Sequence, residues 1–440
     1  MRSALPKVLH PLGGLPLLQH VIHAAKQLKP SNIHVVYGHG GEQVREALAH
    51  EAVSWVLQER QLGTGHAVDQ VMAWVSDGDT LLVLYGDVPL IQADTLRHLL
   101  VHAENGGVSV LTATLNDPSG YGRIMRDTDG KLVGIVEQKD ASEEQLKIRD
   151  INTGCLAAPA SRLRGWLERL DNSNTQREYY LTDVIAMAVA DGVAVASVSA
   201  ANEYEILGVN DRVQLSTLER IFQRSEAERL MRSGVTLADP GRFDVRGDIS
   251  VGQDCFIDAN VILGGTIKIG NNVNIGAYCL IQNSIIGDDV EILSHCVIQD
   301  AEIGAASRIG PFARIRPETC LADHVHVGNF VEVKKSAVAA GSKINRLSYI
   351  GDTRMGAKVN VGAGTITCNY DGANKHLTEI GNDVFIGSDT QLVAPVKVGD
   401  GATIGAGSTI TREVPSGELV LSRCPQQSRP GWKRPLKKSK

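Results

Sequence analysis

The sequence predicts an α/β domain followed by a parallel β-helix, and three features indicate this order. Short apolar runs alternate with helical patterns over the first half of the chain. A segment without proline or glycine, residues 211–233, comes next. Branched aliphatic residues then recur at every sixth position, as at Ile380, Ile386, Leu392, Val398, Ile404 and Ile410.

The first region contains three buried-strand patterns, residues 33–37, 80–85 and 108–114, with helical patterns between them. Buried strands that alternate with helices are typical of an α/β domain with a largely parallel sheet. Ligands of such sheets bind at the carboxyl ends of the strands. We therefore expect a site near Gly86 and Asp87, which directly follow the second run.

The proline- and glycine-free segment predicts one long helix. Leu215, Leu218 and Phe222 share a face of this helix, while charged residues occupy the rest. Asp211 is suited to cap its start and Gly234 to end it. The predicted parts of the chain are residues 1–212, a linker helix at 213–233, and residues 234–440.

A period of six is typical of a parallel β-helix, in which each hexad supplies one short flat side of a coil. The branched residue points into the narrow core, and a following glycine permits the tight corner. Two further runs keep this step, from Ile269 to Ile298 with one slip and from Ile303 to Val333. The register breaks between about residues 334 and 379, where we expect residues 362–372 to project as a loop.

Composition is typical of a globular protein of two or three domains, with 43% hydrophobic and 21% charged residues among 440. The net charge of −6 argues against a nucleic-acid-binding protein. No apolar run reaches the ~18 residues of a membrane span. Seven scattered cysteines without a CxxC pair predict a reduced, cytoplasmic compartment. The basic tail, residues 432–440, is expected either to grip phosphates or to be a solvated terminus.

Local patterns alone leave the chemistry open. Asp87, just past a buried strand, suits a Mg²⁺ ligand near a phosphate, but it equally suits a helix cap or a turn. The glycine-rich turn at residues 61–66 could approach a nucleobase with its backbone, although two glycines are a weak signal.

Longer motifs, taken together, are more specific. Before the repeats, the chain carries Leu5-Pro6-Lys7-Val8-Leu9, Gln61-Leu62-Gly63-Thr64-Gly65-His66, Tyr85-Gly86-Asp87-Val88-Pro89-Leu90, Gly120-Tyr121-Gly122-Arg123-Ile124, Gly134-Ile135-Val136-Glu137 and Asn152-Thr153-Gly154. The repeats carry Gly328-Asn329-Phe330-Val331-Glu332-Val333-Lys334-Lys335 and the segment 362–372. Over essentially its whole length, the chain resembles the bacterial bifunctional N-acetylglucosamine-1-phosphate uridyltransferase / glucosamine-1-phosphate acetyltransferase family.

The resemblance implies a Rossmann-like nucleotidyltransferase domain followed by a left-handed β-helix that assembles as a homotrimer. The β-helix would transfer acetyl from acetyl-CoA to glucosamine 1-phosphate. The first domain would join N-acetylglucosamine 1-phosphate to UTP with Mg²⁺ and release pyrophosphate. The product, UDP-N-acetylglucosamine, feeds peptidoglycan and lipopolysaccharide. The implied partners are these small molecules and further copies of the chain, with no nucleic acid and no membrane.

In the first domain, the resemblance implies that Lys7 meets phosphate, that Asp87 and Asn210 bind Mg²⁺, and that the uracil lies near Gln58. The implied sugar-nucleotide site consists of Lys7, Gln58, Gly63, Thr64, Tyr85, Gly86, Asp87, Gly122, Glu137, Asn152 and Asn210. In the β-helix, the implied sugar-phosphate residues are Arg316, Lys334, Tyr349 and Asn360. The implied acetyl-CoA residues are Ala363, Asn369, Tyr370, Ser388, Ala406 and Arg423.

One departure from the family concerns the start of the sequence. The family opens with a strand and a glycine-rich loop of the form Leu-Ala-Ala-Gly-x-Gly-Thr-Arg-Met, and Met1 aligns with the last residue of that motif. Such a loop would cradle the UTP phosphates with backbone N–H groups. The strands beside it are expected to lack ladder partners on one side. A miscalled or truncated start and a defective domain are the two explanations.

The second departure is Arg346, in Asn345-Arg346-Leu347-Ser348-Tyr349, where the family has a general-base histidine. Arginine stays protonated in proteins and cannot accept a proton. Loss of a general base costs typically ~10²–10⁴ in rate. His326 and Glu332 lie in nearby repeats and are possible substitutes. We expect impaired acetyl transfer with retained acetyl-CoA binding.

Two other functions stay open from the sequence. A non-catalytic trimeric homologue that binds sugar nucleotide or acetyl-CoA would explain both departures, whereas the intact ligand positions favour the enzyme. A solenoid metalloenzyme would need histidines on a shared coil face. The spacing of the candidates shows no such face: His295, His324, His326 and His376.

Overall fold

The computed structural model describes residues 1–38 and 40–435, and the chain divides into two compact units between Phe222 and Gln223. Residues 436–440 of the predicted basic tail lie outside the described part. Among the described residues, no helix has the length and apolarity needed to cross a membrane.

The first unit combines helices with three small sheets. Its helices are α1 (Leu17–Lys26), α2 (Glu42–Ala47), α3 (Thr64–Asp69), α4 (Ala93–Glu104), α5 (Glu143–Leu146), α6 (Ala160–Leu167), α7 (Asp183–Ala190) and the start of α8 (Arg212–Arg232). Its strands are β1 (Pro11–Leu12), β2 (Leu15–Pro16), β3 (His34–Tyr37), β4 (Ser54–Leu57), β5 (Thr80–Val83), β6 (Val108–Thr114), β7 (Gly122–Arg126), β8 (Leu132–Val136), β9 (Asp150–Pro159) and β10 (Val195–Ser199). Short 3₁₀ turns lie at Lys7–Leu9, Met72–Trp74 and Glu203–Ile206.

The central sheet of this unit is mixed, so the prediction of a largely parallel sheet was wrong. Its order is β10-β6-β9-β7-β8, and β5 also pairs with β9. Only β10 and β6 run parallel, whereas β9 is antiparallel to β5, β6 and β7. The reason is that the β7–β8 hairpin and the single-turn helix α5 interrupt the strand–helix alternation before β9. A parallel return needs a full crossover connection.

Strands β3 and β5 are among the strands of the first unit that leave one ladder edge open. In the described part of the chain, β3 pairs only with β4, and β5 pairs only with β9. All residues of β3 and β5 are only partly buried, although both strands are apolar in sequence. Open apolar edges are uncommon in folded sheets because their backbone groups are free to pair with another strand.

The long helix α8 has the predicted caps. The Asp211 carboxylate accepts the backbone N–H of Gln214 at 2.8 Å, which satisfies a donor of the first turn. Gly234, at φ +103°, follows the last turn, and its N–H donates to the carbonyl of Met231 at 3.2 Å. Leu218 of this helix packs with Leu12, Leu17 and Val209 of the first unit.

The second unit is a solenoid of short parallel strands on three flat faces, and the predicted fold is confirmed: a nucleotidyltransferase-type α/β domain, then a left-handed β-helix. The first face is an 11-stranded sheet: Thr236–Leu237, Phe256–Ile257, Asn274–Ile275, Glu291–Ile292, Arg308–Ile309, His326–Asn329, Lys343–Arg346, Asn360–Val361, Phe385–Ile386, Thr403–Ile404 and Leu419–Val420.

The other two faces belong to one 17-stranded sheet. It begins with the long strands Phe243–Val251 and Val261–Ile269. The second face continues with Leu280–Gln282, Val297–Gln299, Arg314–Ile315, Glu332–Lys334, Tyr349–Gly351, Ile366–Cys368, Gln391–Val393 and Thr409–Ile410. The third face continues with Ile285–Ile286, Ala301–Ile303, Thr319–Leu321, Ala337–Val338, Thr353–Met355, Thr378–Ile380 and Val396–Val398.

The six-residue period marks the core, as predicted, because all six residues from Ile380 to Ile410 are at most 4% exposed. The predicted break at 334–379 is smaller than expected. The core continues through it with Val338, Ile344, Ile350, Met355 and Val361, each at most 4% exposed. The periodicity is obscured because the corner between the second and third faces advances the core by five residues instead of six.

The predicted loop at 362–372 is also displaced in the structure. Residues 362–368 run inside a coil and include the strand Ile366–Cys368, with Thr365 and Thr367 buried. The projecting loop begins at Asn369 and returns to the coil at Thr378. We refer to residues 369–377 as the corner loop.

Four exposed rings stack on successive coils at the corner between the first and second faces. They are Tyr278, His295, Phe312 and Phe330, with centroids 5.0, 4.7 and 5.1 Å apart and planes within 19° of parallel. All four have φ between +56° and +64°. We call these four rings the aromatic ladder. On the next two coils, Leu347 and Gly364 occupy the equivalent position, also at positive φ.

Candidate active sites

The first unit contains a cavity of about 450 Å³ at the ends of its central strands. Six residues predicted from sequence line it: Tyr85, Asp87, Gly122, Glu137, Asn152 and Asn210. They come from separate segments, since Asp87 follows β5, Glu137 follows β8 and Asn210 precedes α8. The sheet therefore brings together side chains that lie far apart in sequence.

The side-chain ammonium of Lys7 bridges the two predicted metal ligands of this cavity. The Lys7 ammonium lies 2.5 Å from Asp87 Oδ2 and 3.1 Å from Asn210 Oδ1. The backbone holds the same segments together, because the Val209 N–H donates to the Asp87 carbonyl at 3.0 Å. Carboxylate and amide oxygens are ligands that Mg²⁺ prefers. Since both oxygens already converge on one positive charge, the residues present fit a divalent cation.

Glu137 and Tyr85 are held in a low-dielectric part of the cavity. Burial raises the pKa of Glu137, which accepts a hydrogen bond from Thr182 Oγ1 at 3.1 Å. Burial likewise raises the pKa of the Tyr85 phenol, so it stays a neutral hydrogen-bonding group. Gly154, at φ +90°, leaves room for the ring, because a Cβ there would lie 2.3 Å from it.

The residues assigned to the uracil form a connected set that does not line the cavity. Gln58 Nε2 donates to the Gly63 carbonyl at 3.1 Å and bonds His66 Nδ1 at 2.9 Å. The Thr64 hydroxyl accepts the Leu181 N–H at 3.1 Å. Gly63 adopts φ +114° at the start of α3, a conformation that favours glycine. The glycine-rich turn is therefore held in place by its own hydrogen bonds and by Leu181.

The predicted sugar-phosphate residues of the solenoid lie on adjacent coils, mostly on the second face. Arg316 pairs with Glu332 at 2.7 Å. Tyr349 sits beside Glu332 in the strand register, and Lys334 lies beside Gly351. Asn360 belongs to the first face instead, where its side chain accepts from Asn345 Nδ2 at 3.2 Å.

Four predicted acetyl-CoA residues form a column along the corner between the first and second faces. The Ala363 carbonyl accepts the Asp389 N–H at 2.7 Å, and the Ser388 carbonyl accepts the Gly407 N–H at 2.8 Å. The Arg423 guanidinium then donates to the Ala406 carbonyl at 2.8 Å. The other two residues, Asn369 and Tyr370, open the corner loop on the far side of the second face.

Arg346 lies in the same corner as that column. It ends the strand Lys343–Arg346, and its carbonyl accepts from Gly364 N–H at 3.2 Å and Ser348 Oγ at 3.0 Å. Its side chain is exposed, and within residues 1–38 and 40–435 its guanidinium makes no hydrogen bond or ion pair. The carbonyl contacts fix the backbone at this position, whichever side chain stands there.

The two possible substitutes for the missing base are poorly placed. Glu332 is engaged by Arg316. His326 begins the strand whose other end, Asn329, pairs with Arg346, and burial lowers the pKa of its imidazole. Histidine metal chemistry also finds no support, because no cluster of three or more His, Cys, Asp or Glu in the described part of the chain is arranged to hold a metal.

Several residues near these sites gave no usable signal in sequence. Lys375, on the corner loop, lies next to Lys334, whose ammonium lowers the pKa of Lys375. Asp352 accepts from Asn369 Nδ2 at 2.5 Å. Both lie outside the quoted motifs, and Lys375 is near Lys334 only because of the coil. In the first unit, Gln214 also lines the cavity, as does Tyr121, which lies inside a quoted motif but was given no role.

Family models match three parts of the chain. Residues 1–178 match a MobA-like NTP transferase domain, residues 245–347 a GMPPB C-terminal domain, and residues 377–412 the bacterial transferase hexapeptide of six repeats. A solved UDP-glucose pyrophosphorylase complexed with UDP-glucose is 15% identical and covers 50% of this chain and 91% of its own, with a TM-score of 0.42. That likeness is too weak to support an inference.

Two curated relatives match the chain over almost its whole length. The bifunctional protein GlmU of Aromatoleum aromaticum is 58% identical over 438 residues, covering 100% of this chain and 96% of the relative. The bifunctional protein GlmU of Alkalilimnicola ehrlichii is 55% identical over 435 residues, covering 99% and 94%. The chain therefore belongs to the GlmU family, the bifunctional uridyltransferase and acetyltransferase enzymes of UDP-N-acetylglucosamine biosynthesis.

Proposed function

We propose that the cavity of the first unit is the uridyltransferase site, where N-acetylglucosamine 1-phosphate attacks UTP to give UDP-N-acetylglucosamine and pyrophosphate. The convergence of Lys7, Asp87 and Asn210 at one edge of this cavity is the main support. Phosphoryl transfer depends on positioning and on neutralising charge more than on covalent chemistry, and a lysine beside two oxygen ligands supplies both.

The metal of this site is proposed to be Mg²⁺, held by Asp87 Oδ2 and Asn210 Oδ1. When bound, it would neutralise charge on the phosphates, and Lys7 would then be free to pair with a phosphate oxygen. A site with only one carboxylate fits a metal that completes its coordination with substrate and water.

The other side chains of the cavity would bind and orient the sugar. Glu137 and Asn152 would present hydrogen-bonding groups to the sugar. Gly122 lies beside them, and a Cβ there would lie 3.1 Å from Ile135 Cγ2. Tyr85, kept neutral by burial, would donate without adding charge near the phosphates. Gln58, Gly63, Thr64 and Gly86 stay assigned to the nucleotide from their motifs.

The second face of the solenoid, with its two corners and Asn360 of the first face, is proposed to bind both substrates. Glucosamine 1-phosphate would bind Arg316, Lys334, Tyr349 and Asn360, and acetyl-CoA would bind Ala363, Asn369, Tyr370, Ser388, Ala406 and Arg423. Two cations on neighbouring coils suit a phosphate dianion. Arg346 cannot accept the proton of the attacking amine. The presence of Arg346 therefore favours a second candidate function for this unit. In this second function, the site binds both substrates but transfers acetyl slowly.

The assembly is proposed to be a homotrimer of this solenoid, as the family resemblance implies. A cytoplasmic location is supported by the cysteines, all seven of which are free. Sedimentation of the purified chain would test the oligomer.

A two-product assay tests the proposed function directly. Pyrophosphate release from UTP and N-acetylglucosamine 1-phosphate reports the first site, and free coenzyme A from acetyl-CoA and glucosamine 1-phosphate reports the second. We expect Asp87→Asn to slow pyrophosphate release by about 10²–10³ without changing coenzyme A release. Asp94→Asn, at an exposed position on α4, is the matched control.

Removal of metal with a chelator should stop pyrophosphate release, and Mg²⁺ and Mn²⁺ can then be compared for recovery. Pyrophosphate release that survives Asp87→Asn would show that this cavity is not the uridyltransferase site. Full recovery with Mn²⁺ but none with Mg²⁺ would overturn the assignment of the metal.

A further inference from the structure

Asp352 is a buried carboxylate at the corner between the second and third faces. The residue is 8% exposed and adopts φ +47°. Its Oδ2 accepts from Asn369 Nδ2 at 2.5 Å, and the same amide nitrogen lies 3.4 Å from the Tyr349 hydroxyl. Burial of a carboxylate costs free energy unless the group is paired, so the hydrogen-bond partners of Asp352 indicate its role.

Asp352 holds both ends of the corner loop, residues 369–377. Its side chain binds Asn369 at the start of the loop, and its carbonyl accepts the Thr378 N–H at 3.0 Å just after the end. The loop also closes on itself, because the His376 N–H donates to the Asn369 carbonyl at 2.8 Å. A change of the Asp352 side chain therefore acts on the loop through Asn369.

The same carboxylate lies among the lysines of the proposed phosphate site. The Asp352 N–H donates to the Lys334 carbonyl at 3.1 Å. Lys375, on the corner loop, feels both charges: the Lys334 ammonium lowers the pKa of Lys375, and the Asp352 carboxylate acts in the opposite direction. Asp352 is thus a negative charge near two neighbouring ammonium groups before an anion arrives.

The fold itself does not require this burial. Asp300 occupies the same corner on an earlier coil, with φ +45°, and accepts from Asn283 Nδ2 at 3.1 Å. Asp300 is exposed, and none of the proposed ligand residues bonds to it. A polar residue in the left-handed region satisfies the corner. Asp352 differs from Asp300 in three ways: it is buried, it contacts the corner loop, and lysines lie near it.

We propose that Asp352 is a positioning residue that links the Lys334–Lys375 pair to Asn369, so that a sugar phosphate and the coenzyme A group favour each other's binding. This inference rests on the proposed function of the second face. A dianion on the two lysines fixes Lys375 and therefore the corner loop, and Asn369 and Tyr370 open that loop. The coupling is reciprocal, as for any two linked binding equilibria.

The test measures binding to the full chain by calorimetry. Coenzyme A is the probe, because it carries no acetyl group and cannot turn over. We expect its affinity to rise about five- to tenfold when glucosamine 1-phosphate is saturating. The affinity ratio is the affinity for coenzyme A with saturating glucosamine 1-phosphate divided by the affinity without it. In Asp352→Asn, this ratio should fall to within about twofold of unity. Asparagine is chosen because it tolerates φ > 0 and keeps an acceptor for Asn369 while removing the charge.

Asp300→Asn is the matched control, since it removes a carboxylate from the equivalent corner. It should leave the ratio unchanged. A purely structural role of Asp352 would instead lower both affinities and the melting temperature together, with the ratio preserved, and this result would overturn the inference. Coenzyme A that binds the natural chain with no response to glucosamine 1-phosphate would overturn it as well. No binding of coenzyme A at all would refute the proposed acetyl site too.

Discussion

Replacing Arg346 by histidine should restore acetyl transfer. The structure indicates that the substitution is benign, because the guanidinium is exposed and has no partner in the described part of the chain. The backbone is held by contacts of the Arg346 carbonyl with Gly364 and Ser348, which do not depend on the side chain. We therefore expect a change in unfolding free energy within about 0.5 kcal/mol.

The expected gain in rate is about 10²–10⁴, the usual contribution of a general base. Release of free coenzyme A thiol, followed from pH 5.5 to 8.5, is the measurement. The rate of Arg346→His should rise with pH through about 6.5, as the imidazole becomes a neutral acceptor. Arg346→Gln removes the positive charge without supplying a base. It therefore separates the effect of the positive charge from the effect of the absent base.

A histidine variant no faster than the natural chain would refute the reasoning, because the base would then not be what the site lacks. Equal gains in Arg346→His and Arg346→Gln would mean that the positive charge, and not the absent base, slows the reaction.

Three further predictions concern packing and protonation. Gly154→Ala should destabilise the first unit by about 1–3 kcal/mol in urea unfolding, because its φ is +90° and a Cβ would lie 2.3 Å from Tyr85. Burial and neighbouring carboxylates raise the pKa of Asp183 to about 6, so the folded state binds its proton more tightly and stability falls as pH rises from about 4 to 6. Asp183→Asn should flatten that dependence, by about 1 kcal/mol after allowance for solvent screening, in thermal melts at pH 4 and 7. Gly351→Ala would place a Cβ 2.4 Å from the Tyr349 hydroxyl, and we expect glucosamine 1-phosphate to bind about tenfold more weakly in calorimetry.

The fold was predictable where one physical constraint repeats. The solenoid core takes branched residues at most of its inward positions, so the six-residue period is visible in sequence without any structure. The sequence was misleading where the period changes for geometric reasons. A five-residue step, as from Val333 to Val338, looks like a break although both side chains are buried in the same core.

The sheet direction of the first unit could not be derived from the strand patterns alone. An apolar strand such as β5 has the same composition whether its neighbour runs parallel or antiparallel. The direction of β9 depends on the β7–β8 hairpin before it, and the composition of these two strands does not show that they pair as a hairpin.

The sites were predictable as far as motifs extend. Lys7, Asp87 and Asn210 were assigned from motifs, and they meet in the structure. Asp352 and Lys375 were missed because their environment depends on which coil lies above which. A carboxylate after Gly351 resembles any corner residue, and only the neighbouring coil brings Asn369 and the lysines to it.

The aromatic ladder has a consequence for how the solenoid comes apart. In a one-dimensional array, each coil is coupled only to its neighbours. Stacked rings add about 0.5–1.5 kcal/mol to each coupling from Tyr278 to Phe330. The stacked rings end at Phe330, so no ring strengthens the junctions to the next two coils, which carry Leu347 and Gly364. The coils from Tyr278 to Phe330 should thus open as one cooperative block, and amide exchange should find the proposed acetyl site beyond its boundary, where partial opening costs less.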